Sequence, residues 1–263
     1  MTETEAEAAA RAAGVRIRAL ESITDLMAAD SLTRDIWQPV EPGMMLPLET
    51  MRAFAHTGNY LVGAYSGEEM VGCSIGFFEA PAANALHSHV TGVTDRAAGR
   101  GVGRALKLHQ RQWCLERGVA AITWTYDPLV ARNAYFNLAR LGARPTTYLT
   151  NFYGTMQDGR NGKDESDRLM ARWEVARYPP PPTPVDGAEV VLGRAADGGP
   201  AYEPGGGPRV LVAVPDDIEA LREADPDTAN RWRHAVREAL TGLLAEGYYF
   251  AGFDRTGYYI LEQ

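Results

Sequence analysis

Three glycines at alternate positions, Gly99, Gly101 and Gly103, separate a run of strand character from the clearest helix in the first half of the chain. Glycine lets a backbone turn, and approach a ligand, without a Cβ clash. A helix that begins there points unpaired N–H groups and the positive end of its dipole at whatever occupies the turn. Arg100 and Arg104 add charge-assisted donors that suit a pyrophosphate. The segment predicts an anion site between a strand and a helix, and an ordinary glycine-rich turn is the alternative.

The hydrophobic periodicity around this segment predicts an α/β fold. Alternating or β-branched runs predict strands over residues 15–21, 59–65, 70–79, 85–94, 120–126, 146–153 and 169–175. Apolar residues at helical spacing predict helices over residues 23–37, 49–55, 102–117 and 132–141. The hairpin over 59–79 and the strand that follows it come before the glycines, so the predicted sheet begins as an antiparallel one.

The C-terminal third has an organisation of its own. Residues 177–208 contain a polyproline run at 179–182 and a glycine triplet at 205–207, which are typical of a spacer. We therefore predict a core over 15–176, a Pro/Gly-rich linker over 177–208 and a C-terminal α/β unit over 209–263. The last unit is predicted as a strand, two helices and a hairpin, with an exposed helix face around Arg231-Trp232-Arg233 that buries one aromatic ring.

That order of elements is also the order over residues 15–79. A partial internal duplication is therefore a hypothesis, although shared element order is common by chance.

The composition excludes several classes of protein. The net charge is −8, from 26 Lys and Arg against 34 Asp and Glu, and broad nucleic-acid binding relies on an excess of basic residues. The two cysteines are too few for a disulfide scaffold, and no apolar run reaches the ~20 residues of a membrane helix. No signal peptide and no His/Cys cluster with metal spacing is recognisable. We expect a cytoplasmic protein that acts on a small molecule, without a metal, a nucleic acid or a membrane as partner.

Two other nucleotide-binding patterns match the segment less well. A Walker A loop ends in Gly-Lys-Ser/Thr, whereas Arg104-Ala105 follows Gly103 here. A dinucleotide fingerprint has the spacing G-x-G-x-x-G near the first strand of a βαβ unit, and this segment has G-x-G-x-G after four predicted strands.

Residues 99–106 (Gly-Arg-Gly-Val-Gly-Arg-Ala-Leu), after a strand ending in Gly92-Val93, resemble the acyl-CoA pyrophosphate loop of the GNAT superfamily of N-acyltransferases. The stretches 124–129, 132–138 and 141–143 further resemble a bacterial subgroup of predicted acyltransferases whose chain continues past the GNAT core. The resemblance covers roughly residues 15–154. It implies a mixed, mostly antiparallel central sheet flanked by helices, followed here by a C-terminal α/β extension.

The resemblance also implies where acyl-CoA binds. Backbone donors for the thioester oxygen would come from the strand before the loop, around Thr91–Val93. The implied cofactor-binding residues are Thr91, Val93, Gly99, Arg100, Gly101, Val102, Gly103, Arg104 and Asn133. The family usually has Gln or Arg just before the first glycine, where this chain has Ala98, and Arg100 and Arg104 could supply that charge.

Acyl transfer to an amine needs a base, because a protonated amine is not a nucleophile. Glu79 at the end of a predicted strand, and His87 or His89 on the next strand, are the candidates. A glutamate at a strand end is more often a solvated hairpin residue, and a lone histidine is more often a structural one. Many members of the family carry an acidic Tyr where this chain has Leu138, so Tyr135 and Tyr153 are the candidate acids.

The implied function is an acyl-CoA-dependent N-acyltransferase. Acetyl-CoA is the default donor, succinyl-CoA is another, and the acceptor is the amine of a small molecule such as an amino acid or a natural-product intermediate. Two alternatives remain: a catalytically silent CoA-binding regulatory module, and a GNAT-fold protein acting on carrier-protein thioesters. A homodimer is a further expectation.

Overall fold

The computed structural model describes residues 3–39, 46–156, 164–177, 179 and 183–263. These residues form two compact units. The first consists of residues up to Trp124 together with 174–176, and the second consists of the remaining residues from Thr125 onward. The boundary between the units lies inside a strand, between Trp124 and Thr125.

The first unit is a sheet with helices. Its helices are α1 (Glu5–Ala12), α2 (Ile23–Trp37), α3 (Leu48–His56) and α4 (Val102–Glu116). Its strands are β1 (Arg16–Ala19), β2 (Tyr60–Ser66), β3 (Glu69–Phe78), β4 (Ala85–Val93) and β5 (Ala121–Tyr126), the last of which crosses the boundary. The strands lie in the order β1-β2-β3-β4-β5, with β4 and β5 parallel and the other neighbours antiparallel. The predicted mixed, mostly antiparallel sheet flanked by helices is therefore confirmed.

Two glycines show how the helices pack on this sheet. A Cβ on Gly72 would lie 3.3 Å from Leu106 of α4, whereas a Cβ on Gly92 would lie 2.7 Å from Trp37 of α2. Gly92 is the register partner of Cys73, the residue after Gly72, so the two missing side chains point to opposite faces. Helix α4 therefore packs on one face of the sheet and α2 on the other.

Local sequence explains where two of these helices begin. Thr4 and Ser22 accept hydrogen bonds from the backbone N–H groups of Glu7 and Asp25, whose carboxylates bond back to the N-cap residues. This reciprocal capping box satisfies donors that a helix start leaves unpaired. Helix α1 was not predicted from the sequence, because a helix of 8 residues carries little periodic signal of its own.

The second unit contains a pair of strands and a separate sheet. Its helices are α5 (Ala131–Tyr135), which continues as a π-helical segment over Phe136–Leu141, α6 (Ile218–Ala224) and α7 (Pro226–Ala245). Its strands are β6 (Arg144–Leu149), β7 (Arg168–Glu174), β8 (Glu189–Arg194), β9 (Pro200–Tyr202), β10 (Arg209–Ala213), β11 (Tyr249–Phe253) and β12 (Tyr258–Glu262). β6 and β7 are antiparallel. The other five strands form a sheet in the order β11-β12-β10-β8-β9, in which only β10 and β8 are parallel.

The prediction of a continuous spacer over 177–208 is wrong for the residues of β8 and β9. Both strands join the C-terminal sheet, β8 by pairing with β10 and β9 by pairing with β8. The flanking prolines and glycines dominated the composition and obscured the short apolar run at 190–192. The prolines at 180–182 lie outside the described residues. The division into domains at 176 and 208 stays a prediction.

The strand order also contradicts the hypothesis of an internal duplication. β1 pairs with β2, the first strand of the hairpin that follows it. β10 pairs instead with β12, the second strand of its hairpin. A duplication preserves the order of strands in a sheet, so the shared order of elements along the chain is not a repeat of the fold.

A buried ion-pair cluster lies in the second unit. Asp127 and Asp164 each bond to Arg222 and Arg233, and Arg168 lies 4.0 Å from Asp127. Arg233 is only 1% exposed, so the prediction that it lies on an exposed helix face is wrong. Trp232 is the buried aromatic residue that was predicted there.

Over the ranges that the structure describes, no helix combines the length and the apolar character that a membrane span requires.

Candidate functional site

The glycine-rich segment forms an open turn at the start of α4. Gly99 and Gly101 have φ angles of 74° and 86°, in the left-handed region that side chains disfavour. A Cβ on either glycine would meet nothing within 4 Å, so the turn leaves open space on its outer side. Gly101 is the N-cap of α4, and no side chain caps the helix. The first N–H groups of a helix of 15 residues therefore face an open turn, which is a favourable arrangement for binding an anion.

The two arginines of the turn have partners within the first unit. Arg100 donates to the carbonyl oxygen of Ala13 over 3.4 Å, and Arg104 forms an ion pair with Glu5 of α1 over 2.9 Å. The side chain of Glu5 is 49% exposed, and an exposed ion pair of this kind contributes about 0–1 kcal/mol. A phosphate group could therefore replace Glu5 at small cost. Glu5 was not predicted from the sequence as a partner of the turn, because the contact joins residues that are 99 positions apart.

The strand before the turn separates from its neighbour. The parallel register of β4 with β5 covers Ala85–His87 only. On its other side β4 stays paired with β3 as far as Val93, with one extra residue at His89. Beyond His87, the alternate amide groups of β4 that point away from β3 therefore have no strand partner from β5. Thr91 and Val93, the predicted sources of backbone donors, lie in this part of β4.

Glu79, His87 and Thr123 lie together on the first unit. Thr123 is the register partner of His87 on β5, and its hydroxyl donates a short hydrogen bond to a carboxylate oxygen of Glu79. His87 Nδ1 lies 3.2 Å from the same hydroxyl oxygen. The structure thus joins two side chains that the sequence offered as alternative bases, through a threonine that the sequence analysis took as part of a strand.

The two candidate acids and Asn133 belong to the second unit. The hydroxyl of Tyr135 accepts a hydrogen bond from Arg255 over 2.8 Å. The hydroxyl of Tyr153 lies 2.9 Å from that of Thr125, and the Tyr153 side chain is exposed. Asn133 is an exposed residue of α5. Their assignment as acids or as a cofactor contact stays a prediction.

A buried lysine under β4 was not anticipated. Lys107 of α4 is 5% exposed, donates to Ser88 over 2.8 Å and to Gln110 over 3.3 Å, and lies 4.1 Å from the ring centre of Trp124. Burial lowers its pKa to about 7, against a smaller opposite effect of Cys114. The spacing of residues 107, 110 and 114 on one helix face is the only local signal for this position.

Within the described ranges, no three His, Cys, Asp or Glu side chains are grouped so that they could hold a metal ion.

Comparisons with known proteins return similarities of structure. No family model matches the chain, and the search of curated proteins finds no match. Many solved structures are similar, among them the ribosomal-protein-S18-alanine N-acetyltransferase from Escherichia coli, at 18% identity over 61% of this chain and 94% of that one, with a TM-score of 0.49. A proposed acetyltransferase of the GNAT family from Desulfovibrio desulfuricans has 18% identity over 61% and 99% of the two chains, with a TM-score of 0.45. The PaiA N-acetyltransferase from Thermoplasma acidophilum, solved with coenzyme A, has 14% identity over 61% and 98%, with a TM-score of 0.43.

Proposed function

We propose that this chain is an N-acyltransferase that moves an acyl group from acyl-CoA to the amine of a small molecule. The observation that carries the proposal is the open turn at Gly99 and Gly101, which presents the uncapped start of α4 beside the part of β4 that is not paired with β5. The turn suits the pyrophosphate of CoA, because backbone N–H groups and a helix dipole bind phosphate oxygens.

The edge of β4 that is not paired with β5 suits the remainder of the cofactor. The pantetheine arm contains two amide groups, which can hydrogen-bond to a free strand edge as an added strand does. A thioester held along the same edge would direct its carbonyl oxygen to the amides around Thr91–Val93. Such donors stabilise the charge that develops on that oxygen when an amine attacks.

The chemistry also requires a proton acceptor for the amine. Glu79 and His87 are the two candidates, and both lie on the same unit as the turn. Acetyl-CoA is the proposed default donor, succinyl-CoA is the second, and an amino acid or a related amine is the proposed acceptor. Tyr135 and Tyr153 remain the candidates for protonating the thiolate that leaves.

The turn is tested by isothermal titration with acetyl-CoA, succinyl-CoA and free CoA. We expect Gly101→Glu to weaken binding of each by at least tenfold, because a carboxylate there fills the turn and repels phosphate. Gly118→Glu is the matched control: Gly118 ends the same helix, has a φ of 68° and also has open space around it. This control carries a similar backbone strain, but it lies at the opposite end of the helix from the turn. It should therefore bind CoA as the wild type does.

Turnover is then measured as release of the CoA thiol in the presence of the twenty amino acids and simple primary amines. Absence of binding for every CoA species would contradict the proposal. Tight binding without turnover of any amine would instead favour a CoA-binding module without catalysis.

The ion pair between Glu5 and Arg104 yields a second prediction. Glu5→Gln removes the carboxylate that competes with phosphate for Arg104, so we expect CoA to bind up to about fivefold more tightly, the equivalent of ~1 kcal/mol. Glu3→Gln is the control, because Glu3 pairs with Arg11 and not with the turn. Equal affinities of wild type and Glu5→Gln for CoA would show that Glu5 does not compete with the cofactor for Arg104.

A further inference from the structure

Two hydrogen bonds connect Glu79, Thr123 and His87, and their direction is defined. An ionised carboxylate only accepts, so the single hydroxyl proton of Thr123 must point at Glu79. The hydroxyl oxygen can then only accept from the other side, where His87 Nδ1 lies 3.2 Å away. Nδ1 must therefore carry the proton of the neutral imidazole.

This assignment leaves the other ring nitrogen unprotonated. Among the described residues, no group hydrogen-bonds to Nε2 of His87. The ring is held in place by its contact with Phe77, whose ring centre lies 5.2 Å away, and by the hydrogen bond to Thr123. A neutral histidine with a fixed Nδ1–H and a free Nε2 is the form that a general base requires.

We propose that His87 is the general base of the reaction and that Thr123 is a positioning residue, which fixes the Nδ1–H tautomer of His87 and connects it to the carboxylate of Glu79. The inference rests on the proposed N-acyltransferase function. It assigns Glu79 and His87 different roles, where the sequence offered them as alternatives.

The attacking species is a neutral amine. The amine nitrogen forms a bond to the thioester carbon, one of its protons passes to Nε2 of His87, and the carbonyl oxygen takes up the electron pair of the C=O π bond. When that pair re-forms the C=O bond, the C–S bond breaks and the CoA thiolate leaves with its electrons. The thiolate takes a proton that solvent supplies, directly or through the acid proposed above. The imidazolium then returns its proton to solvent, which regenerates the base.

The surroundings of His87 are consistent with a base that is neutral at pH 7. Burial lowers the pKa of His87, the neighbouring His89 and the more distant Lys107 lower it further, and Glu79 raises it. The group that stabilises the imidazolium is thus Glu79, on the far side of Thr123. Loss of the hydroxyl or of the carboxylate should therefore lower the pKa of His87 and impair its protonation in the reaction.

The tautomer can be measured without any activity. Long-range ¹H–¹⁵N NMR spectra distinguish Nδ1–H from Nε2–H imidazoles, and the chain has only 5 histidines, so His87→Gln identifies the signals. We expect Nδ1–H in the wild type and in Thr123→Ser, which keeps the hydroxyl, and a mixture or Nε2–H in Thr123→Val. An Nε2–H tautomer of His87 in the wild type overturns the proposal.

The kinetic arm uses acetyl-CoA and an amine from the panel described above. We expect Thr123→Val to lower kcat at least tenfold, to leave the affinity for CoA unchanged and to move the acidic limb of the kcat profile to lower pH. Thr123→Ser should restore most of kcat, and Glu79→Gln should shift the same limb in the same direction. Thr147→Val, an exposed substitution on β6, is the control and should change nothing.

The outcomes separate this inference from the proposed function. If no CoA species binds, the function is wrong, and the NMR spectra still decide whether Thr123 fixes the tautomer. If CoA binds and turnover occurs, but Thr123→Val keeps the wild-type pH profile and kcat, then His87 is not held for catalysis by Thr123 and the inference is wrong.

Discussion

Lys107→Met is expected to raise the free energy of unfolding at pH 7. The ammonium group of Lys107 lies in the core of the first unit with Ser88 and Gln110 as its hydrogen-bonding partners, and within the described residues it has no carboxylate partner. Burying a charge without an opposite charge is costly, and methionine fills a similar volume. The substitution also removes the hydrogen bond to Ser88, which offsets part of this effect. We expect a net gain in the free energy of unfolding on the order of 3 kcal/mol.

The way in which the stability gain of Lys107→Met varies with pH shows whether it arises from the buried charge. The pKa of Lys107 is about 7 in the folded chain and ~10.4 when unfolded, so the unfolded state binds one more proton between these values. Lys107 therefore makes the stability of the wild type rise by up to about 1.4 kcal/mol per pH unit in that window. The advantage of Lys107→Met should be largest at and below pH 7 and shrink towards pH 10. Urea unfolding at pH 7, 8, 9 and 10 measures this difference.

Comparing the two proteins at each pH removes the titration of groups whose pKa Lys107 does not influence, such as Cys73. Burial raises the pKa values of Cys73 and Cys114 to about 12, which lowers the stability of both proteins above about pH 8.5. Arg117→Met is the matched control, since Arg117 also lies over a tryptophan, 4.2 Å from the ring centre of Trp113, but is exposed. We expect it to change stability by less than about 1 kcal/mol at every pH. A pH-independent effect of Lys107→Met would contradict this account of Lys107.

Asp127→Ala is expected to destabilise the second unit by about 3–5 kcal/mol. Asp127 accepts from Arg233 through both carboxylate oxygens, over 2.9 and 2.8 Å, and from Arg222 over 2.7 Å. It also accepts from the backbone N–H of Leu129, which caps the turn after β5. Removing it leaves Arg233 buried with Asp164 as its remaining acidic partner. For a chain of this size the midpoint of thermal unfolding should fall by roughly 6–20 °C.

An exposed ion pair in the same unit provides the control. Asp197 and Arg231 lie 3.2 Å apart with side chains more than half exposed, so Asp197→Ala should lower the stability far less than Asp127→Ala does. Stability at low pH also distinguishes the buried aspartate from the exposed one. Burial alone would raise the pKa of Asp127, but Arg233 and Arg222 outweigh it and hold that pKa well below its usual range. The contribution of Asp127 is therefore complete above about pH 4 and is lost as the pH falls further, so the gap between wild type and Asp127→Ala should narrow in acid. Equal losses for Asp127→Ala and Asp197→Ala would refute the importance of the buried cluster.

The elements that sequence predicted well are those whose signal is local. The helix over 102–117 is observed as Val102–Glu116, and the strand over 120–126 as Ala121–Tyr126, because apolar periodicity and the bounding glycines mark their ends. The two strands within the predicted spacer were missed, because prolines and glycines around them outweighed six and three residues of strand. Helix α1 was also missed. Its apolar periodicity is weak, and its capping residues Thr4 and Glu7 are the clearer signal.

In the candidate site, too, local sequence predicts some features and not others. The sequence alone determined the glycine turn, its two arginines and the short list of proton acceptors, because each depends on residue type and on neighbours within a few positions. Three findings come from the folded chain alone: Thr123 connects His87 with Glu79, Glu5 pairs with Arg104, and Lys107 and Arg233 are buried. Those contacts join residues 36, 44, 99 and 106 positions apart. Hydrogen-bond direction and burial arise from the pairing of whole strands and helices, and no local pattern in the chain encodes them.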